Sequence, residues 1–356
     1  LAIALHWQCR DHRFESGMRY HFCCCQTVKE PMAKRVFSGA RPTGRQHIGN
    51  YFGHIMNLLA LQENYECFDC VVDLHALTTV VDISSLQQDI SDMVLDWLAA
   101  GVDPDKSVVF VQSHVPEITE LHLLLSMVTP LSWLLRVPTF KEKVRMHSEN
   151  VNYGLVGYPV LMTSDIVLYK GELVPVGEDQ LPHLELAREI VRRFNSLYGN
   201  VFPEPEAKLT QFPMIVGLDG AGKMSKSADN HLEIAASPEE IRQKINAAFT
   251  DPARKRRSDV GHPEVCNVYR MHHIFNPERV VEIGMECRAA GIGCVDCKKL
   301  LSQGIVDYFA PFRERRHALE ARPDYVRDVV RDGAERAARV ARQTLHEVKV
   351  AMNLLP

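Results

Sequence analysis

The sequence predicts an α/β protein: a parallel sheet wrapped by helices, followed by an all-helical C-terminal part. Three observations predict it. Short apolar runs at 36–37, 68–74, 108–112 and 173–176 alternate with helical spacing at 83–100 and 181–198. A turn holding Pro42 and three glycines separates the first run from a helical pattern at 51–62, the arrangement of a ligand site at the carboxyl ends of parallel strands. Beyond about residue 232 the strand signals fade, and 325–345 reads as one long amphipathic helix with Arg327, Arg331, Arg336 and Arg339 on its polar side. The expected boundaries are 1–31 for an N-terminal extension, 32–232 for the sheet-bearing domain and 233–356 for the helical domain.

Taken in order, 1–31 carries Cys9 and the consecutive Cys23, Cys24 and Cys25 without clear periodicity. Met32-Ala33-Lys34-Arg35 is a natural place for a chain to start, so this stretch reads as upstream extension, with a metal-binding arm as its rival. Val36-Phe37-Ser38 reads as a strand and 39–49 as the turn. A glycine-rich turn at a helix N-terminus offers unpaired N–H groups and the positive end of the helix dipole to an anion. Gly49 lets a base or ribose lie against bare backbone, while His47 and Asn50 offer donors for phosphate oxygens. Cys67 and Cys70 flank Phe68-Asp69 at the next strand; with no second pair nearby they read as core thiols rather than a redox or zinc pair.

Further along, Gly217, Gly220 and Gly222 form a loop leading into Lys223-Met224-Ser225-Lys226-Ser227. Its two ammonium groups would meet charge developing on a leaving pyrophosphate. Together the two strings describe a grip on a nucleoside triphosphate. Ser237-Pro238-Glu239-Glu240 marks a helix start. Cys266, Cys287, Cys294 and Cys297 follow, the last three as C-x6-C-x2-C. Four thiolates can close a tetrahedral zinc site or hold an iron-sulfur cubane, and spacing does not separate these from free thiols. Arg254-Lys255-Arg256-Arg257 and Lys298-Lys299 read equally as phosphate contacts or as a solvated face.

The whole chain sets wider bounds. Its 356 residues suffice for two domains with cores, and 46% hydrophobic with 24% charged residues is ordinary globular composition. No apolar run approaches a membrane span. A net charge of -4 leaves any RNA contact to local basic patches. There is no Walker loop and no G-x-G-x-x-G after a strand, which removes the usual warrant for a kinase or a dehydrogenase.

His47-Ile48-Gly49-Asn50 and Lys223-Met224-Ser225-Lys226-Ser227 resemble the HIGH and KMSKS signatures of class I aminoacyl-tRNA synthetases, the second letter for letter. Ser38-Gly39-Ala40-Arg41-Pro42-Thr43-Gly44, Val72-Asp73-Leu74-His75-Ala76, 158–165 and Val174-Pro175-Val176-Gly177-Glu178-Asp179-Gln180 are similar to motifs of the tryptophanyl-tRNA synthetase family. The resemblance runs from about Lys34 to the end of the chain.

The resemblance implies a Rossmann-like catalytic domain and a helical anticodon-binding domain. It implies ATP-dependent attachment of L-tryptophan to tRNA(Trp) through tryptophanyl-adenylate, by a cytoplasmic homodimer with no membrane contact. His47, Asn50, Lys223 and Lys226 are the implied catalytic residues. ATP, with Mg²⁺ on its phosphates, falls to Arg41, Pro42, Thr43, Gly49, Asn50, Gly177, Glu178, Asp179, Met214, Lys223, Met224, Ser225, Lys226 and Ser227. Tryptophan falls to Phe37, Gly39, His75, Tyr158, Met162, Asp165, Val174, Val176 and Gln180. Asp165 is chosen to accept the indole N–H, since a buried unpaired donor costs about 1–3 kcal/mol; its rival roles are a helix N-cap or an internal ion pair, and that of His75 is a satisfied core histidine. The resemblance also tips the four C-terminal cysteines toward a [4Fe-4S] cluster, with zinc or no metal as alternatives.

Three departures stand out: Asn50 replaces the second histidine of HIGH, Arg41 stands where some members have glutamine, and the Cys266 to Cys287 gap is slightly short. The rival functions are a tyrosine-specific synthetase, a nucleotidyltransferase of the same superfamily and a non-catalytic RNA-binding or iron-sensing paralogue.

Overall fold

A computed structural model of the chain describes residues 34–79, 82–137, 144, 151–209 and 214–355; the extension at 1–31, with Cys9 and the Cys23 to Cys25 triplet, lies outside them. Among the described residues, five strands make one sheet: β1 (Arg35–Ala40), β2 (Glu66–Val71), β3 (Ser107–Val111), β4 (Leu173–Val176) and β5 (Glu206–Leu209). All pairings are parallel, in the order β3-β2-β1-β4-β5. The order reverses between β1 and β4, the place where α/β sheets open a crevice for ligands. The helices on the N-terminal side are α1 (Ile48–Asn50), α2 (Met56–Leu61), α3 (Asp73–Leu77), α4 (Leu86–Ala100), α5 (Glu117–Ser126), α6 (Leu131–Leu134), α7 (Tyr153–Leu168) and α8 (Leu181–Tyr198). After them come α9 (Pro238–Ala247), α10 (Asn267–Phe275), α11 (Val280–Arg288), α12 (Cys294–Tyr308), α13 (Ala310–Glu320) and α14 (Pro323–Ala351).

Both faces of the sheet are covered, so the strands read as continuous apolar runs rather than alternating ones. Phe37, Phe68, Cys70, Val108 and Phe110 pack with α5, α7 and α8 on one face. Val71, Val109 and Val111 meet α2 and α4 on the other, in a core that continues into the helices from α9 onward. Cys67 and Cys70 belong to different clusters. Three positions apart on a strand, they point to opposite faces and cannot converge on one metal, in line with core thiols.

The edge strand β3 is closed by α14. Its small residues Ala334, Ala337, Ala338 and Ala341 join the β3 side of the core, and a Cβ on Gly333 would overlap the Val109 carbonyl oxygen. Covering an edge this closely removes a row of unpaired backbone groups from solvent. Arg336, expected on the polar face, is instead half-buried and donates to the Pro104 carbonyl at 2.6 Å.

Other expectations are also corrected. The run at 68–74 does not stay extended: β2 ends at Val71 and Asp73 to Leu77 are helical. Asp73 Oδ1 accepts from the N–H groups of Leu74 and Ser113 at 3.0 Å each, and turns the chain there. The helix at 51–62 contains a π turn over Tyr51–Ile55. The helix after Ser237 begins as expected, with Ser237 and Glu240 exchanging capping bonds.

Candidate active site

The turn after β1 is built from reciprocal bonds. Asn50 N–H donates to His47 Nδ1 at 3.2 Å, and His47 N–H donates to Asn50 Oδ1 at 3.1 Å, a capping box made by two residues of the same motif. With Nδ1 accepting, the imidazole proton sits on Nε2, and Asn50 keeps its Nδ2 as a donor. Burial, then His231, Lys226 and Lys223, hold His47 down at about 4, so the ring is neutral near pH 7. Gly44 adopts φ +71, a region that favours glycine.

The lysine-bearing loop folds onto this turn. His47 bridges to Glu233, and Ile48 N–H donates to Leu232 O while Ile234 N–H donates to Gln46 O. Lys226 Nζ donates to the Thr43 carbonyl at 2.6 Å. Met224 is buried, and a Cβ on Gly49 would stand 3.3 Å from its own Cβ and 3.0 Å from the His47 ring. Lys223 and Ser227 are exposed, with Lys226 and Ser225 half-buried. Gly220 (φ +75) and Gly222 (φ +62) shape the approach. Asn230, which sequence reasoning missed, pins the loop: it accepts from Ser225 N–H at 2.8 Å and donates to Asp219.

Across the switch point, β4 ends in Val176, and Gly177 leads into a short turn at Glu178–Gln180. Glu178 and Asp179 are exposed, and Gln180 donates to Asp179 Oδ2 at 2.7 Å. Met214 is exposed on the chain leading to the lysine-bearing loop.

Asp165 is 1% exposed, and both its oxygens are engaged: Oδ2 lies 2.9 Å from His75 Nε2, and Oδ1 accepts from Gln112 Nε2 at 2.7 Å. Gln112 was not foreseen. Fully buried just past β3, its Oε1 accepts from Leu74 N–H at 3.0 Å, so it ties α3 to Asp165. Each carboxylate oxygen retains a second lone pair for a ligand donor. Tyr158, Met162 and Asp165 share one face of α7 by their spacing. The Tyr158 ring lies 6.4 Å from that of His75. Phe37 and Val174 lie in the core under the sheet, Phe37 stacked on Tyr169 at 5.8 Å, and Val176 is likewise buried. Gly39 is exposed at the end of β1, where a Cβ would stand 3.0 Å from Val72.

The four C-terminal cysteines line a single cavity of about 20 Å³ together with Thr250, Asp251 and Arg254. All four are free thiols. Burial, then the other three cysteines, push Cys297 up to about 12. Arg254 Nη1 reaches Cys287 Sγ at 3.6 Å, and Nη2 donates to Ile292 O at 2.6 Å. Arg254 therefore turns inward and is not a free phosphate contact, while Arg257 and Lys299 lie within 4 Å of Asp296. Among the described residues no group of three or more His, Cys, Asp or Glu side chains is placed to hold a metal ion as it stands.

A parallel sheet whose switch point carries a histidine-glycine turn and a lysine loop folded over it defines a class I tRNA synthetase. Residues 30–310 match the family described as tRNA synthetases class I (W and Y). The chain is 48% identical to tryptophan-tRNA ligase from Thermotoga maritima, over 90% of this chain and 99% of the relative, and 46% identical to that from Deinococcus radiodurans at the same coverage. The crystal structure of tryptophanyl-tRNA synthetase from Campylobacter jejuni, complexed with ADP and tryptophan, superposes with a TM-score of 0.82 at 33% identity, covering 90% of this chain and 99% of that one. The chain belongs to the tryptophan-tRNA ligase family.

Proposed function

We propose that the chain activates L-tryptophan with ATP and transfers it to tRNA(Trp). In the first step a carboxylate oxygen of tryptophan forms a bond to the α-phosphorus, the bond from that phosphorus to the bridging oxygen breaks, and pyrophosphate leaves with the electron pair. Positioning and charge neutralisation do most of this work. His47 Nε2–H and Asn50 Nδ2 donate to phosphate oxygens, Gly49 lies under the adenosine, and Lys223 and Lys226 neutralise the departing pyrophosphate. Mg²⁺ bound with ATP would add charge neutralisation on the phosphates. In the second step the 2′-hydroxyl of the terminal adenosine attacks the acyl carbon, AMP leaves, and the adenylate phosphate takes the proton. Asp165 accepts the indole N–H, and Glu178 and Asp179 accept from the ribose side.

The observation that carries this reading is the bond from Lys226 to Thr43, which brings two strings 183 positions apart to one turn at the switch point. Charging of tRNA(Trp) with labelled tryptophan tests it: ATP-dependent charging supports the assignment, and its absence from folded protein overturns it.

The same reading extends to the assembly. Residues 233–356 act as the anticodon-binding part, and 32–232 as the catalytic part of a cytoplasmic enzyme. Leu123 on α5, Met127 at its C-cap, Leu131 on α6 and Leu135 at its C-cap are exposed, which suits a second copy of the chain. No described helix is long and apolar enough to cross a membrane. Cys266, Cys287, Cys294 and Cys297 would hold a [4Fe-4S] cluster, a reading supported by four thiols and a guanidinium facing one cavity. Bound there, it would cross-link the loop before α10 to α11 and α12 and would carry no electrons in the reaction. Elemental analysis of anaerobically purified protein decides between iron with sulfide, zinc, and neither.

A further inference from the structure

We propose that Asp96 and Arg316 are positioning residues for the turn bearing His47 and Asn50, through which the C-terminal helices set where that turn stands against ATP. The inference rests on reading this turn as the ATP-binding one. It starts from a single peptide, that of Gln46, the residue before His47. Its backbone N–H is buried and donates to Asp96 Oδ2 at 2.6 Å, and the other oxygen of Asp96 accepts from Arg316 Nε at 2.6 Å. Asp96 lies in α4 and is fully buried; Arg316 lies in α13 and is 4% exposed. The remaining guanidinium nitrogens go to Asp92 Oδ1, at 2.8 Å, and to Glu320.

Each group in this chain needs the next. A buried N–H without an acceptor and a buried carboxylate without a cation are both costly, so the three hold one another in place. Burial pushes the Asp96 carboxyl up to about 6 even beside Arg316. Its charge therefore depends on the guanidinium staying where it is. Among the described residues, the other hydrogen bonds of Gln46 run to the lysine loop and to the turn itself: its carbonyl accepts from Ile234 N–H, and its side chain donates to Gly44 O. Neither Asp96 nor Arg316 is placed to touch the nucleotide; they act through Gln46. Arg315 supplies an internal contrast, since its Nε donates to the Ala99 carbonyl at 2.6 Å and ties α13 to α4 without reaching the turn.

The test is tryptophan-dependent pyrophosphate exchange by the full chain, with ATP and tryptophan varied in turn, for the wild type, Arg316→Lys, Arg315→Lys and His47→Ala. Lysine keeps a positive charge near Asp96 but lacks the planar fork that reaches three carboxylates at once. Arg316→Lys is expected to raise KM for ATP about tenfold, with KM for tryptophan held within about twofold. Arg315→Lys changes neither. An equal change in both KM values, a fall in kcat alone, or an unaltered KM for ATP overturns the proposal. Should Arg316→Lys not fold, Asp92→Ala takes its place, because it removes the acceptor of one guanidinium nitrogen at a partly exposed position. An ATP-selective rise of about two- to threefold supports the proposal there, and no rise overturns it. If His47→Ala leaves KM for ATP unaltered, the reading of the turn itself has failed and takes this inference with it; if His47→Ala raises it and Arg316→Lys does not, only the positioning role has failed.

Discussion

Asp165→Asn removes the negative charge facing the amino-acid site while leaving its framework standing. The asparagine Oδ1 can still accept from Gln112 Nε2, now 2.7 Å from the carboxylate, and its Nδ2 can donate to a neutral His75 Nε2, now 2.9 Å away. What is lost is a charged acceptor for the indole N–H. A hydrogen bond to a charged group contributes about 1.5–3 kcal/mol, so kcat/KM for tryptophan should fall by roughly 10- to 100-fold. The benzothienyl analogue, in which sulfur replaces the indole N–H, has no such bond to lose. Steady-state pyrophosphate exchange with both amino acids measures the ratio of their kcat/KM values. The wild type should favour tryptophan strongly, and the variant should bring the two close together. A variant that keeps the wild-type ratio refutes the role given to Asp165, whatever its absolute rate.

Lys226→Ala, which removes the ammonium bound to Thr43 O, should lower kcat of adenylate formation by about 10²- to 10³-fold with KM for tryptophan little changed; single-turnover kinetics check it. Gly333→Ala forces a methyl into the Val109 carbonyl and should cost about 3 kcal/mol in urea unfolding, with an unmoved midpoint counting against the close packing of α14 on β3. His54 is held at about 4 by burial, so the unfolded chain takes up a proton below about 6.5 that the native ring refuses, and stability falls as pH drops through that window. His54→Gln should therefore lose less stability between pH 7 and 5 than the wild type, by on the order of 1–2 kcal/mol. Asp69, pushed up to about 7 by burial, works in the opposite sense, so the two proteins are compared rather than either slope read alone.

The legible parts of this fold are those whose signal is local. A helix start at Ser237-Pro238 is written in adjacent residues, and the pair of nucleotide strings carries its own chemistry. Asp165 was legible because an acid next to Ile166-Val167-Leu168 demands a partner. Gln112 was not: it ends an apolar run, and its purpose depends on residues 38 and 53 positions away. The run 68–74 reads as extended because its residues are mostly apolar, whereas Asp73 caps a turn there through a bond to Ser113, which only the folded chain supplies. β5, Glu206–Leu209, has neither alternation nor an apolar run, since it pairs with β4 at an edge. The buried face of α14 is mostly alanine and glycine, residues whose weak apolar signal hides how closely they meet β3.

Amino-acid-dependent exchange of labelled pyrophosphate into ATP tests most directly whether the two strings close around one nucleotide beside an indole-reading acid. The account predicts brisk exchange with tryptophan, none above background with tyrosine, and near-complete loss in Lys226→Ala. Exchange that is absent with tryptophan, or faster with tyrosine, would contradict it.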